Sequence, residues 1–276
     1  MAELDPFVLR RALWLRPVRW LATAELPDLA LLAENLTEVH FVAGQIVAPA
    51  GVAPGALHFI IDGEIGFDGR RWGPGAVVGG LEVLARRPLA LALLATQNTR
   101  TLQLPSGDLF DILDDNFAIL RAALRGLADV MPPPPPLVLP KLGDPLGFVE
   151  RLTLLRDQPT FRGAGLDALA DLAHASQEVW FAANSAVVRQ GDPAVSAFVI
   201  VDGSLLGPDG VLGPGHTIGA LETLAERPYR ATIDAATPVR ALESSANAIF
   251  DVLEDHTDLG MAMLASFAAT LSAARA

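Results

Sequence analysis

A shift of 140 residues lays positions 40–116 onto 180–256 without a gap, and 24 of those 77 pairs are identical. Chance in a chain so rich in Ala and Leu gives on the order of a tenth, so the sequence carries one fold twice. The identities gather at turns. Asp62-Gly63 matches Asp202-Gly203, Gly73-Pro74-Gly75 matches Gly213-Pro214-Gly215, and Leu81-Glu82 matches Leu221-Glu222. With 276 residues, each copy has enough chain to bury a core of its own.

Within each copy the hydrophobic period changes along the chain. Leu26, Leu29 and Leu32 recur at helical spacing, as do Leu166, Leu169 and Leu172. Next come short runs such as VHFVAGQIVAPAG, LHFIIDGEIGF and TRTLQL, with VWFAANSAVVRQG and AFVIVDGSLLG in the second copy. They are rich in β-formers and broken every few residues by Gly, Pro, Asn or Asp, which predicts many short strands in a small antiparallel roll or barrel. A closing helix ends each copy. Phe117, Leu120, Leu124, Leu127 and Met131 form one apolar stripe and Leu259, Met263, Phe267 and Leu271 the other. The first is expected to pack on its own barrel. The second, flanked by Ala262, Ala265, Ala268 and Ala269, is the better candidate for a contact between subunits.

Between the copies lies MPPPPPLVLPKLGDP, where proline fixes φ and removes backbone donors. The expectation is an extended polyproline spacer, with aromatic-groove recognition as the lesser alternative. The domain boundaries expected are 1–131, a linker at 132–145, and 146–276.

Charge excludes some partners. A formal net charge of −12, with Lys141 the only lysine, leaves no basic stripe for nucleic-acid phosphates or anionic lipid. The acidic start MAELDPFVLRR and the brevity of PLALALLA lead to the expectation of a soluble cytoplasmic protein with no membrane span. Cysteine is absent, which removes disulfides and thiolate metal sites. The five histidines form no His-x-His pair, no G-x-S-x-G elbow occurs, and Asp114-Asp115 and Glu254-Asp255 sit where helix dipoles favour acids. No metal, no cofactor and no catalysis are expected.

Phe41 with Gly44 and Gly51, FIIDGEI and GPGAVVGGLEVL in the first copy, and Phe181, RQGDPAVSAFVIVDGSL and GPGHTIGALETL in the second, resemble the cyclic-nucleotide-binding domain family, in tandem. The resemblance spans roughly 7–131 and 148–276. It implies a mainly β fold with flanking α-helices: two β-rolls of the double-stranded β-helix or jelly-roll type. It also implies a division of labour in a cassette reading approximately F-G-E-L-A-L, a short helix, then P-R-x-A. Backbone N–H groups and an Arg take the cyclic phosphate, and a Glu accepts from the ribose hydroxyl.

This chain departs from that pattern. The Glu position is Gly80 in the first copy and Ala220 in the second, and the Arg position of the first is Leu89. The first cassette (Gly79, Gly80, Leu81, Glu82, Leu89) is therefore expected to be dead toward cyclic nucleotides, since a phosphate buried without a partner costs several kcal/mol. In the second, counting back from Ala235 puts Tyr229 at the Arg position, and counting forward from Ala220 puts Arg230 there. Candidate ligand contacts are Gly219, Ala220, Leu221, Glu222, Tyr229 and Arg230. Glu82 and Glu222 are displaced candidates for the ribose, weighed against simple pairing with Arg87 and Arg227 five residues on.

The transcription regulators of the family add a helix-turn-helix, which LSAARA does not begin. Its kinase regulatory subunits carry Arg-Arg-x-Ser or Arg-Arg-x-Ala, where this sequence has RRAL. The expectation is a non-enzymatic regulatory or scaffold module with a protein partner, self-association through the closing helices, and no nucleic acid. The alternative is a sensor that binds a cyclic nucleotide or other anion in the second domain through Arg230.

Overall fold

A computed structural model describes residues 5–274. They divide into two compact units, residues 5–127 with 267–274, and residues 128–266.

In the first unit, α1 (Pro6–Leu15) begins where the Asp5 carboxylate accepts from the Phe7 N–H at 2.8 Å, with Pro6 in the first turn. After a 3₁₀ turn at Arg19–Leu21 comes α2 (Leu26–Glu34), which buries Leu29 and Leu32. Eight strands follow: β1 (Thr37–Phe41), β2 (Ile46–Ala48), β3 (Ala56–Asp62), β4 (Ile65–Phe67), β5 (Arg70–Trp72), β6 (Val77–Val78), β7 (Leu93–Ala95) and β8 (Thr99–Pro105). The short helix α3 (Gly80–Leu84) interrupts them, and α4 (Ser106–Asp115) and α5 (Phe117–Ala128) close the unit. The strands form two antiparallel sheets, β1-β8-β3-β6 and β2-β7-β4-β5.

The second unit repeats this order. It runs through α6 (Phe148–Arg156), α7 (Leu166–Ala175), β9 (Gln177–Phe181), β10 (Ala186–Val188), β11 (Ser196–Asp202), β12 (Leu205–Gly207), β13 (Gly210–Leu212), β14 (Thr217–Ile218), α8 (Ala220–Leu224), β15 (Ile233–Ala235), β16 (Val239–Ser245), α9 (Ala246–Asp255) and α10 (Thr257–Ala273). Its sheets are β14-β11-β16-β9 and β10-β15-β12-β13. The expected double roll with flanking helices is the observed fold; the β-rich runs hold β1 to β4 and β8 of the first unit and β9 to β12 of the second, while β5 to β7 and β13 to β16 lie outside them.

The Asp-Gly identities have a steric cause. Gly63 and Gly203 adopt φ of 88° and 89°, and a Cβ on either would fall 2.4 Å from the Asn98 carbonyl oxygen or 2.3 Å from that of Pro238. Only glycine serves there. Each roll then fills its interior with apolar side chains. Ala48, Ile60, Ile65, Val78, Leu89 and Leu93 fill the first, and Val188, Phe198, Ile200, Leu205, Ile218 and Tyr229 lead the second.

Two readings of the sequence change. The stripe on α5 stops short of Met131, because the helix ends at Ala128. On α10, Leu259, Met263 and Phe267 are buried within the chain itself, so the apolar stripe that suggested a subunit contact is already covered. The proline-rich segment is irregular and, in the division into units, counts with the second roll; the Leu137 N–H donates to the Gly215 carbonyl at 2.8 Å.

Candidate functional site

Each cassette is built the same way. Gly79 and Gly219 precede the short helices in the left-handed region, at φ of 79° and 76°. They turn β6 into α3 and β14 into α8. Behind each helix, Arg86 and Glu226 also take positive φ, 51° and 49°, which directs the chain back toward the roll.

Backbone hydrogen bonds fix which residue follows into the interior. In the first roll the Gly51 N–H donates to the Leu89 carbonyl at 2.8 Å, and the Leu89 N–H to Val52 at 3.1 Å. In the second the Gly191 N–H donates to the Tyr229 carbonyl at 3.0 Å, and the Tyr229 N–H to Asp192 at 2.9 Å. The pairing is offset by 140 residues throughout, so Tyr229 stands where Leu89 stands. Arg230 is one residue further along, on the opposite side of an extended segment.

Leu89 is buried against Ala48, Ile60, Ile65, Val78 and Leu93. Gly80, at the Glu position, offers no side chain, and a Cβ there would only reach ordinary contact with Leu57 and Trp20 at 3.7 Å. Leu81 is buried under the helix, and Glu82 turns away to accept from the Ser272 hydroxyl at 3.1 Å.

Tyr229 is also buried, and its ring lies so close to Gly219 that a Cβ on that glycine would come within 2.7 Å of it. The phenol donates to the Ser196 carbonyl at 2.8 Å and accepts from the Ser196 N–H at 3.3 Å. Burial pushes the phenol above its ordinary pKa; the hydrogen bond to the Ser196 backbone opposes this, and the Glu243 and Glu222 carboxylates add to the rise.

Arg230 is half-exposed. Its guanidinium donates to the Asp129 carbonyl at 2.8 Å and lies 3.8 Å from Glu222. Arg227 pairs with the Asp129 carboxylate, so the expected Arg227 to Glu222 side-chain pairing is replaced by one in which two arginines share Asp129. Ala220 starts α8, and Leu221 is buried beneath it.

A cavity of about 720 Å³ opens in the second roll, lined among others by Arg189, Ser196, Phe198, Tyr229 and Glu243. Of the sequence candidates only Tyr229 lines it; Gly219, Ala220, Leu221, Glu222 and Arg230 do not. Glu243 is set across it by bonds from the Ser196 hydroxyl at 2.7 Å and the Gln177 amide at 2.9 Å. Sequence reasoning missed Glu243 and Asp129. Strand alternation on β16 was the signal available for the first, whereas nothing local marks an acid that binds arginines 98 and 101 residues away.

The interiors differ at one further matched position. Phe181 and Phe198 meet edge to face at 5.6 Å in the second roll; in the first, Phe41 meets His58 in the same way at 5.5 Å. Burial lowers the His58 pKa from 6.5 to about 4, so the ring is neutral near pH 7, with Nδ1 3.1 Å from the Thr101 hydroxyl.

These features define a class: paired antiparallel rolls, each with a glycine-turned cassette helix over its interior. Residues 178–256, most of the second roll, match the cyclic nucleotide-binding domain family, which supports the resemblance carried by the cassette residues. Among similar solved structures, a cyclic-AMP-bound PfPKA-R fragment is 13% identical, with 92% of this chain and 86% of that chain covered and a TM-score of 0.41. The regulatory domain of Toxoplasma gondii PKA, crystallised with cyclic AMP, is 17% identical over 92% and 98%, with a TM-score of 0.38. The N-terminal domain of a Streptomyces coelicolor transcriptional regulator is 27% identical over 44% and 94%, with a TM-score of 0.39. Among the described residues no helix is long and apolar enough to cross a membrane.

Proposed function

We propose that this chain is a non-enzymatic regulatory or scaffold module, made of two cyclic-nucleotide-binding-like rolls joined by a proline-rich segment at 132–145, that acts through a protein partner in the cytoplasm. The observation that carries the reading is the occupant of the Arg position. It is an aliphatic side chain in the first roll and a tyrosine bonded to the Ser196 backbone in the second, both buried. Neither neutralises a phosphate, and in the first roll bringing one in means leaving it unpaired against apolar surface. Arg230, the nearest cation in sequence, is engaged by Asp129. The acidic balance of the chain argues against nucleic acid as the partner.

The 720 Å³ cavity favours a second reading, a small-molecule sensor in the second roll, whose contacts would be Tyr229, Arg189 and Glu243 with Arg230 recruited from Asp129. Titration calorimetry with cyclic AMP, cyclic GMP and cyclic dinucleotides separates the two. No binding at micromolar concentration is expected. Saturable binding that disappears in Arg230→Ala overturns the scaffold reading in favour of the sensor.

A further inference from the structure

One end of the second roll carries polar side chains on the inward faces of its strands. Ser196, Glu243 and Gln177 stand on β11, β16 and β9, on the same faces as Phe198, Ala241 and Val179, which belong to the apolar interior. Across the ladder Glu243 is paired with Phe198 on one side and with Gln177 on the other. Its carboxylate accepts from the Ser196 hydroxyl at 2.7 Å and from the Gln177 amide at 2.9 Å. Both partners are neutral, and among the described residues no cation pairs with it. A carboxylate that borders a cavity with its charge unbalanced is stabilised by a cation that enters.

That cavity is the one of about 720 Å³ in the second roll. Val188, Ser196, Phe198 and Tyr229 are buried along it, and Arg189, Asp192 and Val195 are exposed at its mouth. Its lining holds two carboxylates, Asp192 and Glu243, and one guanidinium, Arg189, so a single positive charge balances it. The Tyr229 phenol is bonded to the Ser196 backbone on both counts, and its ring packs under Gly219, which closes the cavity toward the cassette. A shift of 140 residues puts Pro49, Val52, Leu89 and Gln103 at the positions of Arg189, Asp192, Tyr229 and Glu243. None of the four can ionise. The fold that the two copies share therefore does not need these groups, and the second copy alone carries them.

We propose that this cavity binds a small organic cation, an alkylammonium or alkylguanidinium, with its N–H groups on Glu243 and its apolar body on Val188, Pro193 and Phe198. The inference rests on the sensor reading of the second roll and gives its ligand the charge opposite to that of a cyclic phosphate. A cation gains charge-assisted hydrogen bonds to Glu243, whereas a phosphate is repelled by the same carboxylate. Asp192 at the mouth and the net charge of −12 on the chain draw cations toward the site. Burial raises the pKa of the Tyr229 phenol, and the Glu243 charge adds to the rise. A cation on Glu243 offsets that second contribution, so occupancy lowers the pKa of the phenol.

The test uses the full chain and butylguanidinium, which stays charged throughout the range in which tyrosine titrates. Calorimetry at neutral pH is expected to show one-to-one saturation, weakened about tenfold or more by Glu243→Gln. That variant keeps an acceptor for Ser196 and sets in the second roll the amide that the first carries at Gln103. Butanol and butyrate at the same concentration are expected not to saturate. Phenolate absorbance reads the site itself: saturating butylguanidinium is expected to lower the titration midpoint of Tyr229, the only tyrosine in the chain. The absorbance and the comparison of probes need no variant, so they decide the matter even if Glu243→Gln fails to fold. Absence of saturation up to millimolar butylguanidinium overturns the proposal. Binding that leaves the Tyr229 midpoint unmoved, or that survives Glu243→Gln, also overturns it, because the cation is then held elsewhere on an acidic surface. Saturable butyrate or cyclic AMP that depends on Arg230 overturns the cation and keeps the sensor reading; failure of cation, anion and alcohol alike overturns both.

Discussion

Leu89 and Tyr229 occupy the same point of the same backbone and fill it in different ways. Leu89 closes the interior of the first roll with aliphatic contact alone. Tyr229 fills the equivalent place but keeps a polar end, which is satisfied by both the carbonyl and the N–H of Ser196. Tyr229 borders a cavity lined also by Arg189, Ser196 and Glu243, whereas Leu89 is packed among Ala48, Ile60, Ile65, Val78 and Leu93. An apolar side chain at this point is hard to exchange for a charged one, because the shell around it is apolar too. A polar side chain there leaves a setting in which charge can be accommodated.

The largest expected effect comes from placing an arginine at this point. Leu89→Arg buries a guanidinium among Ala48, Ile60, Ile65 and Val78, and is expected to cost about 4 kcal/mol in urea unfolding. Tyr229→Arg is expected to cost clearly less, because its side chain opens on the cavity with Glu243 among the lining groups. Equal costs at the two sites would erase the contrast.

The next effect sharpens the comparison through pH. His58 replaces, in the first roll, the aromatic ring of Phe198 in the second. Its folded pKa of about 4 lies below its ordinary value of 6.5. Between those values the unfolded chain binds a proton that the folded roll refuses, so stability falls as pH drops through that window. The loss by pH 4 is about 3 kcal/mol. Three of the four tryptophans, Trp14, Trp20 and Trp72, belong to the first unit, so indole fluorescence during urea unfolding at pH 7 and pH 4.5 follows this roll. His58→Phe is expected to flatten the dependence. An acid loss of the same size in the variant would remove His58 as its source.

Which of these features the sequence disclosed follows from their range. The Asp-Gly turns and cassette glycines were legible because they depend on local φ, and the repeat displayed them twice. The burial of Leu89 was legible from composition at one position. The choice between Tyr229 and Arg230 was not, since neighbours on an extended segment face opposite ways and the loop lengths left the count open. The bonds of Gly191 and Asp192 to Tyr229 decide it. Asp129 was invisible for another reason: its partners are fixed by where the chain after α5 lies against the second roll. Proline content read as a spacer because proline reports backbone conformation and says nothing of which surface the extended segment lies on.

The smallest effect isolates the polar end of the replacement. Tyr229 is the only tyrosine in the chain, so phenolate absorbance titrates this one group. In the folded protein it is expected to ionise above the ordinary value for tyrosine, because burial and the carboxylates of Glu243 and Glu222 oppose the anion. The sign for stability follows: the contribution is complete below the ordinary phenol pKa and is lost as pH rises through the folded one. Tyr229→Phe leaves the Ser196 carbonyl and N–H without that partner and is expected to cost about 1 kcal/mol, a quarter of the effect of Leu89→Arg. A phenol that titrates at its ordinary value in the folded protein would mean that Tyr229 stands in water. The second roll would then be open at the Arg position instead of closed from within.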